Sequence, residues 1–292
     1  MRSKIVLSFL ILLTSLQFAS AQFKRSKSKG FTKHEKLQYT AGFGLTSYYG
    51  DLCDKYECMQ FRPNFGIGAI YRLFPNISAR VDVAYYRLYS KDVYEYRNLD
   101  FRSWNIEGYA GLQYDLYSYS KHYRKRKKIQ PYVFAGVGGT YFNPKGKDPE
   151  TGDWIALRPL KTEGQATPYM PFTLILPYGA GFRYKWRPKY DFIFEIGYRK
   201  TFTDNLDDVS SKEYINRFET DLDPVVARMS MRSNDPYYSS TAFNPLNGDR
   251  QQRGNPDRKD GYFLLSLKVR YIVGAKSVVF KGKHPLLKPH HK

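Results

Sequence analysis

Apolar and polar residues alternate along most of this chain with a period of two. Ile77, Ala79, Val81, Val83 and Tyr85 fall on one side of a segment whose other side carries Ser78, Arg80, Asp82 and Tyr86. Further on, Leu174, Leu176, Tyr178, Ala180, Phe182, Tyr184 and Trp186 share a side against Thr173, Gly179, Gly181, Arg183 and Lys185. Near the C-terminus, Phe263, Leu265, Leu267, Val269, Tyr271 and Val273 alternate with Ser266, Lys268 and Arg270. Successive side chains of a strand point to opposite faces, so the pattern predicts strands with one apolar and one polar face. Eight segments qualify: Gln38–Tyr49, Pro63–Phe74, Asn76–Leu88, Leu99–Leu116, Ile129–Phe142, Phe172–Trp186, Asp191–Thr203 and Gly261–Val273. Most exceed the ~5–6 residues of an ordinary soluble strand. They match the ~9–11 residues that a tilted strand needs to cross a bilayer.

The connections alternate too. Phe74-Pro75-Asn76 and Arg187–Tyr190 are tight turns and Tyr117–Lys128 is a modest one, whereas Gly50–Arg62, Tyr89–Asn98, Asn143–Pro171 and Asp204–Asp260 are long. Outer-membrane barrels keep short turns in the periplasm and long loops outside. The expected fold is therefore all-β, an eight-stranded antiparallel transmembrane β-barrel with both termini on the periplasmic side. A soluble eight-stranded barrel is the competing architecture, but its apolar face would point inward and it would not require this asymmetry of loops. Tyr48, Tyr71, Tyr85, Trp104 and Trp186 are expected to face outward near strand ends, as interfacial girdle residues.

The N-terminus changes the picture of compartment. Arg2 and Lys4 precede an apolar run from Ile5 to Phe18, and Ala19-Ser20-Ala21 is a small-x-small cleavage site. That is the pattern of a cleaved signal peptide, and the run is short for a membrane anchor. No Cys stands at the cleavage site, which argues against a lipoprotein. The expected organisation is residues 1–21 as signal peptide, 22–37 as a basic periplasmic segment, 38–274 as the barrel and 275–292 as a basic periplasmic tail.

Composition agrees with a β-rich chain: 17% of residues are aromatic, with 27 Tyr and 20 Phe, and such side chains favour strands. A barrel of eight strands is only wide enough for its own side chains to fill it. Arg72, Arg80, Asp82, Glu107, Asp115, Arg183, Lys185, Glu195, Arg199, Lys268 and Arg270 fall on the inward parity. They are read as an interior network of paired charges, because an unpaired charge there is costly. An ion or proton path is the functional alternative.

Other candidate chemistry is sparse. Cys53 and Cys58, in the first long loop, are read as a local disulfide, since zinc or redox chemistry would want further ligands or a Cys-x-x-Cys spacing. Asp204, Asp207 and Asp208 open the last long loop and could hold Ca²⁺; the simpler reading is turn formation ahead of a helix-like stretch over Ser211–Arg232. No His stands on a strand end beside a Ser or Cys nucleophile, so no enzyme is expected, and no cofactor.

The formal charge is +20. It concentrates in Lys24–Lys29, in the middle turn (Lys121, Arg124, Lys125, Arg126, Lys127 and Lys128) and in the tail, all on the expected periplasmic side. Nucleic acid is not expected as a partner there. Anionic lipid headgroups, a docked periplasmic protein and a plain solvated rim are the readings left open.

Several stretches resemble the PorG-like outer-membrane barrel component of the Bacteroidetes type IX secretion system. They are Phe101–Glu107, Pro131–Gly138, Phe142–Lys145, Leu157–Gln165, Phe202–Ser210 and Arg253–Asn255, in family order across nearly the whole chain after residue 21. The Cys pair, the basic middle turn and the long tail have no counterpart in that pattern. The resemblance implies a non-enzymatic barrel that anchors a periplasmic ring, a lipoprotein and its partner subunit, to the outer membrane. The machine so built secretes proteins with a C-terminal sorting domain and supports gliding in some species. The alternative is a stand-alone OmpA- or OmpW-like barrel with an envelope-structural or small-solute role.

Overall fold

The computed structural model describes residues 36–92, 97–120, 123–211, 214–215, 222–232 and 253–275. Ten strands follow one another in the chain: β1 Leu37–Tyr49, β2 Arg62–Arg72, β3 Ile77–Lys91, β4 Asp100–Asp115, β5 Ile129–Tyr141, β6 Lys145–Lys147, β7 Trp154–Ala156, β8 Phe172–Lys185, β9 Tyr190–Thr201 and β10 Gly261–Ile272. Eight of them form a closed antiparallel barrel. The order runs β3-β2-β1-β10-β9-β8-β5-β4, and a β3–β4 ladder from Ile77↔Tyr114 to Lys91↔Asp100 completes the ring. The first and last strands meet in β1–β10, from Gln38↔Ile272 to Tyr49↔Gly261. Gly44 belongs to this seam, where a Cβ would run into the Leu265 carbonyl. The two tight turns are closed by backbone bonds: Leu73 and Phe74 N–H donate to the Ile77 carbonyl, and Arg187 and Tyr190 exchange bonds at 2.9 and 3.2 Å.

Every barrel strand turns its apolar parity outward. Phe43, Ile67, Val81, Leu112, Val137, Leu174 and Leu267 are exposed around the wall, Ile67 at 64%. A continuous apolar belt of this kind suits hydrocarbon, not water. Aromatic pairs flank it. Trp186 lies 5.1 Å from Phe192 and Tyr190 5.4 Å from Tyr271 at the short-turn end, and Tyr85 stacks on Trp104 at 5.0 Å toward the long-loop end.

Three expectations need correction. Tyr48 does not face outward: it is buried inside the long-loop mouth, drawn there by carboxylates that its hydroxyl reaches. The segment 143–171 is not merely a loop. β6 pairs with β7, extends the edge of β4 at Arg102↔Lys145, and leads into a helical turn, α1 (Leu157–Leu160). The helix expected over Ser211–Arg232 is confined, among the described residues, to α2 (Pro224–Ser230). Its start is set by Asp223, which accepts from Val225 N–H at 2.7 Å, and by Pro224 in the first turn, which needs no amide donor there.

The long-loop end carries a second apolar core. Leu52, Cys53, Leu99, Phe101, Phe142, Leu157, Leu206, Val209 and Met229 pack with the strand-end residues Tyr48, Tyr86, Leu88 and Tyr262. The long connections thus fold into a cap with an interior of its own.

Candidate functional site

Inward-facing positions of β2, β3, β4, β5, β8, β9 and β10 build the lumen. Glu195 is its hub. Arg80 Nη1 and Nη2 donate to the two Glu195 oxygens at 2.9 and 3.2 Å, Lys268 Nζ at 3.0 Å and the Tyr132 hydroxyl at 2.8 Å. Asp82 closes the group, accepting from Arg80 Nε at 2.8 Å and Lys268 at 3.2 Å. The Arg80 guanidinium also lies 4.3 Å from the Phe134 ring centre. Toward the long-loop end, Glu107 accepts from Arg199 Nε and Nη2 at 3.1 Å and from the Tyr262 hydroxyl at 2.7 Å. Toward the short-turn end, Asp115 pairs with Arg72 at 3.1 Å and Arg183 at 2.5 Å, and Arg270 pairs with Asp191. Arg80 is only 2% exposed, and its partners in these groups are buried as well. Stacked layers of bidentate and shared ion pairs fill the barrel. Asp191, at the start of β9, belongs to them; it shares the parity of Glu195 and Arg199 within the predicted segment Asp191–Thr203 but is absent from the inward charges named above.

At the long-loop end a second polar group sits beneath the cap. Arg253 pairs with Glu163 and donates from Nη1 to the Asp208 carbonyl at 2.7 Å. Glu163 also accepts from the Ser210 and Ser211 amides at 2.7 and 2.9 Å. Asp208 accepts from the hydroxyls of Thr162 and, at 2.9 Å, Tyr169. Arg97 donates to the carbonyls of Arg253 at 2.7 Å and Asp51 at 3.1 Å, tying in the loop between β3 and β4. Glu163, Asp208 and Arg253 each lie within a stretch that carries the sequence resemblance, although nothing in their spacing reveals that they touch.

The Tyr48 hydroxyl lies 2.6 Å from both Asp207 Oδ2 and Asp260 Oδ1. A phenol owns one proton, so the second contact requires a protonated carboxyl. Burial in a shared low-dielectric site pushes both carboxyls well above the usual range, each of the pair working against the ionisation of its neighbours. Burial, then the charge of Asp51, pushes Asp204 up to about 7. Burial outweighs Arg253 at Asp208, which stands at about 6. At Glu163 the Arg253 guanidinium overcomes burial and holds the carboxyl below its usual value.

Of the three carboxylates named above for Ca²⁺, Asp207 and Asp208 are engaged by other groups. Asp207 turns to Tyr48 and to the Val209 amide at 2.9 Å, Asp208 turns to Thr162 and Tyr169, and among the described residues no group of three or more His, Cys, Asp or Glu converges on a metal-sized point. Cys53 and Cys58 are joined in a disulfide at the foot of the first long loop.

At the short-turn end, Lys121, the N-terminal basic segment and the tail from 276 onward lie outside the described residues, as does the side chain of Arg124. Lys125, Lys127 and Lys128 are exposed. Arg126 instead turns inward, donating to the carbonyls of Ser120 at 3.1 Å and Pro188 at 3.2 Å. Lys185 holds the turn from the lumen side, donating to the Arg126 carbonyl at 2.9 Å.

The family model described as "Outer membrane protein beta-barrel domain" matches residues 8–215. Among solved structures, Neisserial surface protein A (NspA) is 14% identical, with 81% of this chain and 97% of that chain covered and a TM-score of 0.40. The outer membrane protein OprG from Pseudomonas aeruginosa is 10% identical, with 82% and 97% covered and a TM-score of 0.38. The N-terminal β-barrel domain of OprF from the same organism is 11% identical, with 81% and 97% covered and a TM-score of 0.36. No curated protein matches the chain.

Two outcomes follow from the geometry. Replacing Arg80 by Ala strands Glu195 and Asp82 with Lys268 as their only close cation, and should cost about 3–5 kcal/mol, the penalty for breaking a buried pair from one side; urea unfolding in lipid bilayers measures it. The second concerns pH. Asp204 and Asp208 have folded values above the ~3.9 of a free Asp, so the folded cap holds protons that opened loops release. Their contribution to cap stability is full below about pH 4 and is lost as pH rises through about 6 to 7. Hydrogen exchange in 203–211 should be slower at about pH 5 than at about pH 8 after correction for intrinsic rates, and Asp204→Asn should flatten the difference.

Proposed function

The chain belongs to the outer membrane protein β-barrel family, and from that premise we propose that its role in the bacterial outer membrane is structural and non-enzymatic, as a sealed barrel and not a pore. Barrels of this family turn short connections and both termini to the periplasm, which puts the cap outside the cell and the basic turn inside. Residues 1–21 act in this reading as the cleaved export leader. The observation that carries the proposal is the filled lumen: Arg80, Glu195, Lys268 and Asp82 occupy its middle, with Arg199 and Glu107 above and Arg72, Asp115 and Arg183 below. An ion would have to break several buried pairs in series to pass. Reconstituted in planar bilayers, the protein should therefore show no steady unit conductance, and a reproducible ohmic channel would refute a sealed lumen.

A second reading has an observation in its favour. Glu163, Asp208 and Arg253 come from three separate stretches that resemble the type IX secretion barrel, and they meet in one buried cluster. In this reading the protein anchors the periplasmic ring lipoprotein and its partner to the outer membrane of a Bacteroidetes-type cell, and Lys125, Lys127 and Lys128, with Lys121 and Arg124, supply the docking charge. Deleting the gene separates the two readings. Loss of secretion of cargo with C-terminal sorting domains, and of gliding where the cell glides, is the expected outcome for ring anchoring. Envelope fragility with secretion intact leaves the stand-alone structural barrel.

A further inference from the structure

The outer wall of the barrel is not apolar all the way to the cap. Tyr85 and Ile106, opposite each other on β3 and β4, are both exposed on the belt. The next outward pairs toward the long loops are Arg87 with Trp104, Tyr89 with Arg102 and Lys91 with Asp100. Lys145 on β6 stands opposite Arg102 and so shares its face. Arg62, at the start of β2, lies over the Tyr89 ring at 4.5 Å. Five cations thus gather on one outward patch. At the same end of the barrel β5 and β8 present Tyr141 and Phe172 instead, both exposed, so the charge is confined to one side.

Two features suit this patch to an anion. Its guanidinium groups lie over aromatic rings, Arg87 at 5.5 Å from Trp104 and Arg102 at 4.2 Å from Trp154. A guanidinium held through its face keeps its in-plane donors for an oxyanion. The patch also lacks neutralising acids. Among the described residues, none of Arg62, Arg87, Lys91, Arg102 and Lys145 forms an ion pair; Asp100, the carboxylate beside Arg102, is engaged by Arg232 and by the Lys147 amide at 3.1 Å.

Height selects the source of the anion. A strand rises ~3.4 Å per residue, which puts Arg87 ~7 Å along β3 from the lipid-facing Tyr85. The Tyr85 and Trp104 rings, stacked at 5.0 Å, belong to the aromatic layer that marks the headgroup level of a membrane. Cations on the outer wall at that level meet lipid phosphates.

We propose that this face binds the phosphate groups of a lipid headgroup in the leaflet on the long-loop side, through Arg87, Arg102 and Lys145, with Arg62 and Lys91 at its edges. The acyl chains run down the exposed wall past Val83 and Ile106. The choice of leaflet rests on the reading above that puts the cap outside the cell, where the occupant is a phosphorylated glycolipid.

The test titrates the full mature protein in nonionic detergent with bisphosphorylated lipid A, and separately with the same lipid stripped of its phosphates, reading retained lipid by native mass spectrometry. Saturable retention of the phosphorylated form is expected, with the stripped form held at least about tenfold more weakly. Arg102→Glu should weaken retention by about tenfold. Should that variant fail to show heat-modifiable folding, Lys145→Glu on the exposed edge of β6 decides, with a loss of about fivefold. Lys200→Glu, exposed on the outward face of β9 with the same change of charge, should leave retention unaltered. No saturable retention, equal retention of the two lipids, or equal weakening by Lys145→Glu and Lys200→Glu would overturn the proposal. Displacement by inorganic phosphate, but not by chloride at equal ionic strength, would assign a free-ion site and overturn the lipid source. The leaflet is checked apart from the binding. Lys147→Cys, exposed beside the patch, should react with an impermeant maleimide on intact cells, and its failure to do so would overturn the outer-leaflet assignment alone.

Discussion

A backbone amide or carbonyl left unpaired in hydrocarbon costs several kcal/mol, and in this chain the β1–β10 ladder, from Gln38↔Ile272 to Tyr49↔Gly261, removes the last two open strand edges. Everything else follows from that closure. Once the sheet is a ring, each strand has an inside and an outside, and the period-two pattern acquires its meaning. Ile67, Val81 and Leu267 meet lipid, while Arg80, Glu195 and Lys268 meet one another. A slip of one residue in any ladder would reverse those assignments for a whole strand, placing charges in lipid.

The narrowness of the ring dictates how the charges are arranged. Eight strands leave no room for a column of water wide enough to solvate them, so each charge needs a partner on another strand. Arg80 on β3 reaches Glu195 on β9, Lys268 on β10 reaches Asp82 on β3, and Arg199 on β9 reaches Glu107 on β4. These bonds cross the lumen, which makes them cross-braces as well as a plug. Glu195, with four donors converging on it, is the group whose ionised state the middle layer is built around.

The two ends of the barrel solve different problems. At the long-loop end the connections must fold without a membrane to support them, and they do so as a small soluble domain would, with an apolar core and a buried cluster of polar groups beneath it. Arg253 satisfies Glu163, while Tyr48, Asp207 and Asp260 satisfy one another through the phenol proton and one carboxyl proton. At the short-turn end the turns are too short to form a core, and Tyr119 serves as a platform under a ring of guanidinium groups instead. The cap is therefore rich in buried carboxylates and the short-turn end in guanidinium groups.

Strand number, strand faces and the asymmetry of turns were legible because they are local: a period of two and a proline-bearing turn can be read without knowing what lies across the barrel. The inward parity of Arg80, Asp82, Glu107, Glu195, Arg199 and Lys268 came from the same reading. Tyr48 was misplaced because an aromatic near a strand end suits an interfacial girdle equally well, until one knows that Asp207 and Asp260, 159 and 212 residues away, wait for its hydroxyl. The hairpin of β6 and β7 escaped notice because three-residue strands carry too little pattern. The sequence by itself determined a closed, eight-stranded antiparallel barrel with charged positions inside, since alternation and chain length are properties of neighbours. Which charges pair, that the loops form a cap, and that guanidinium groups gather around Tyr119 at the short-turn end were settled only by the tertiary structure. Those depend on contacts between residues that the chain keeps far apart and that closure of the barrel alone brings together.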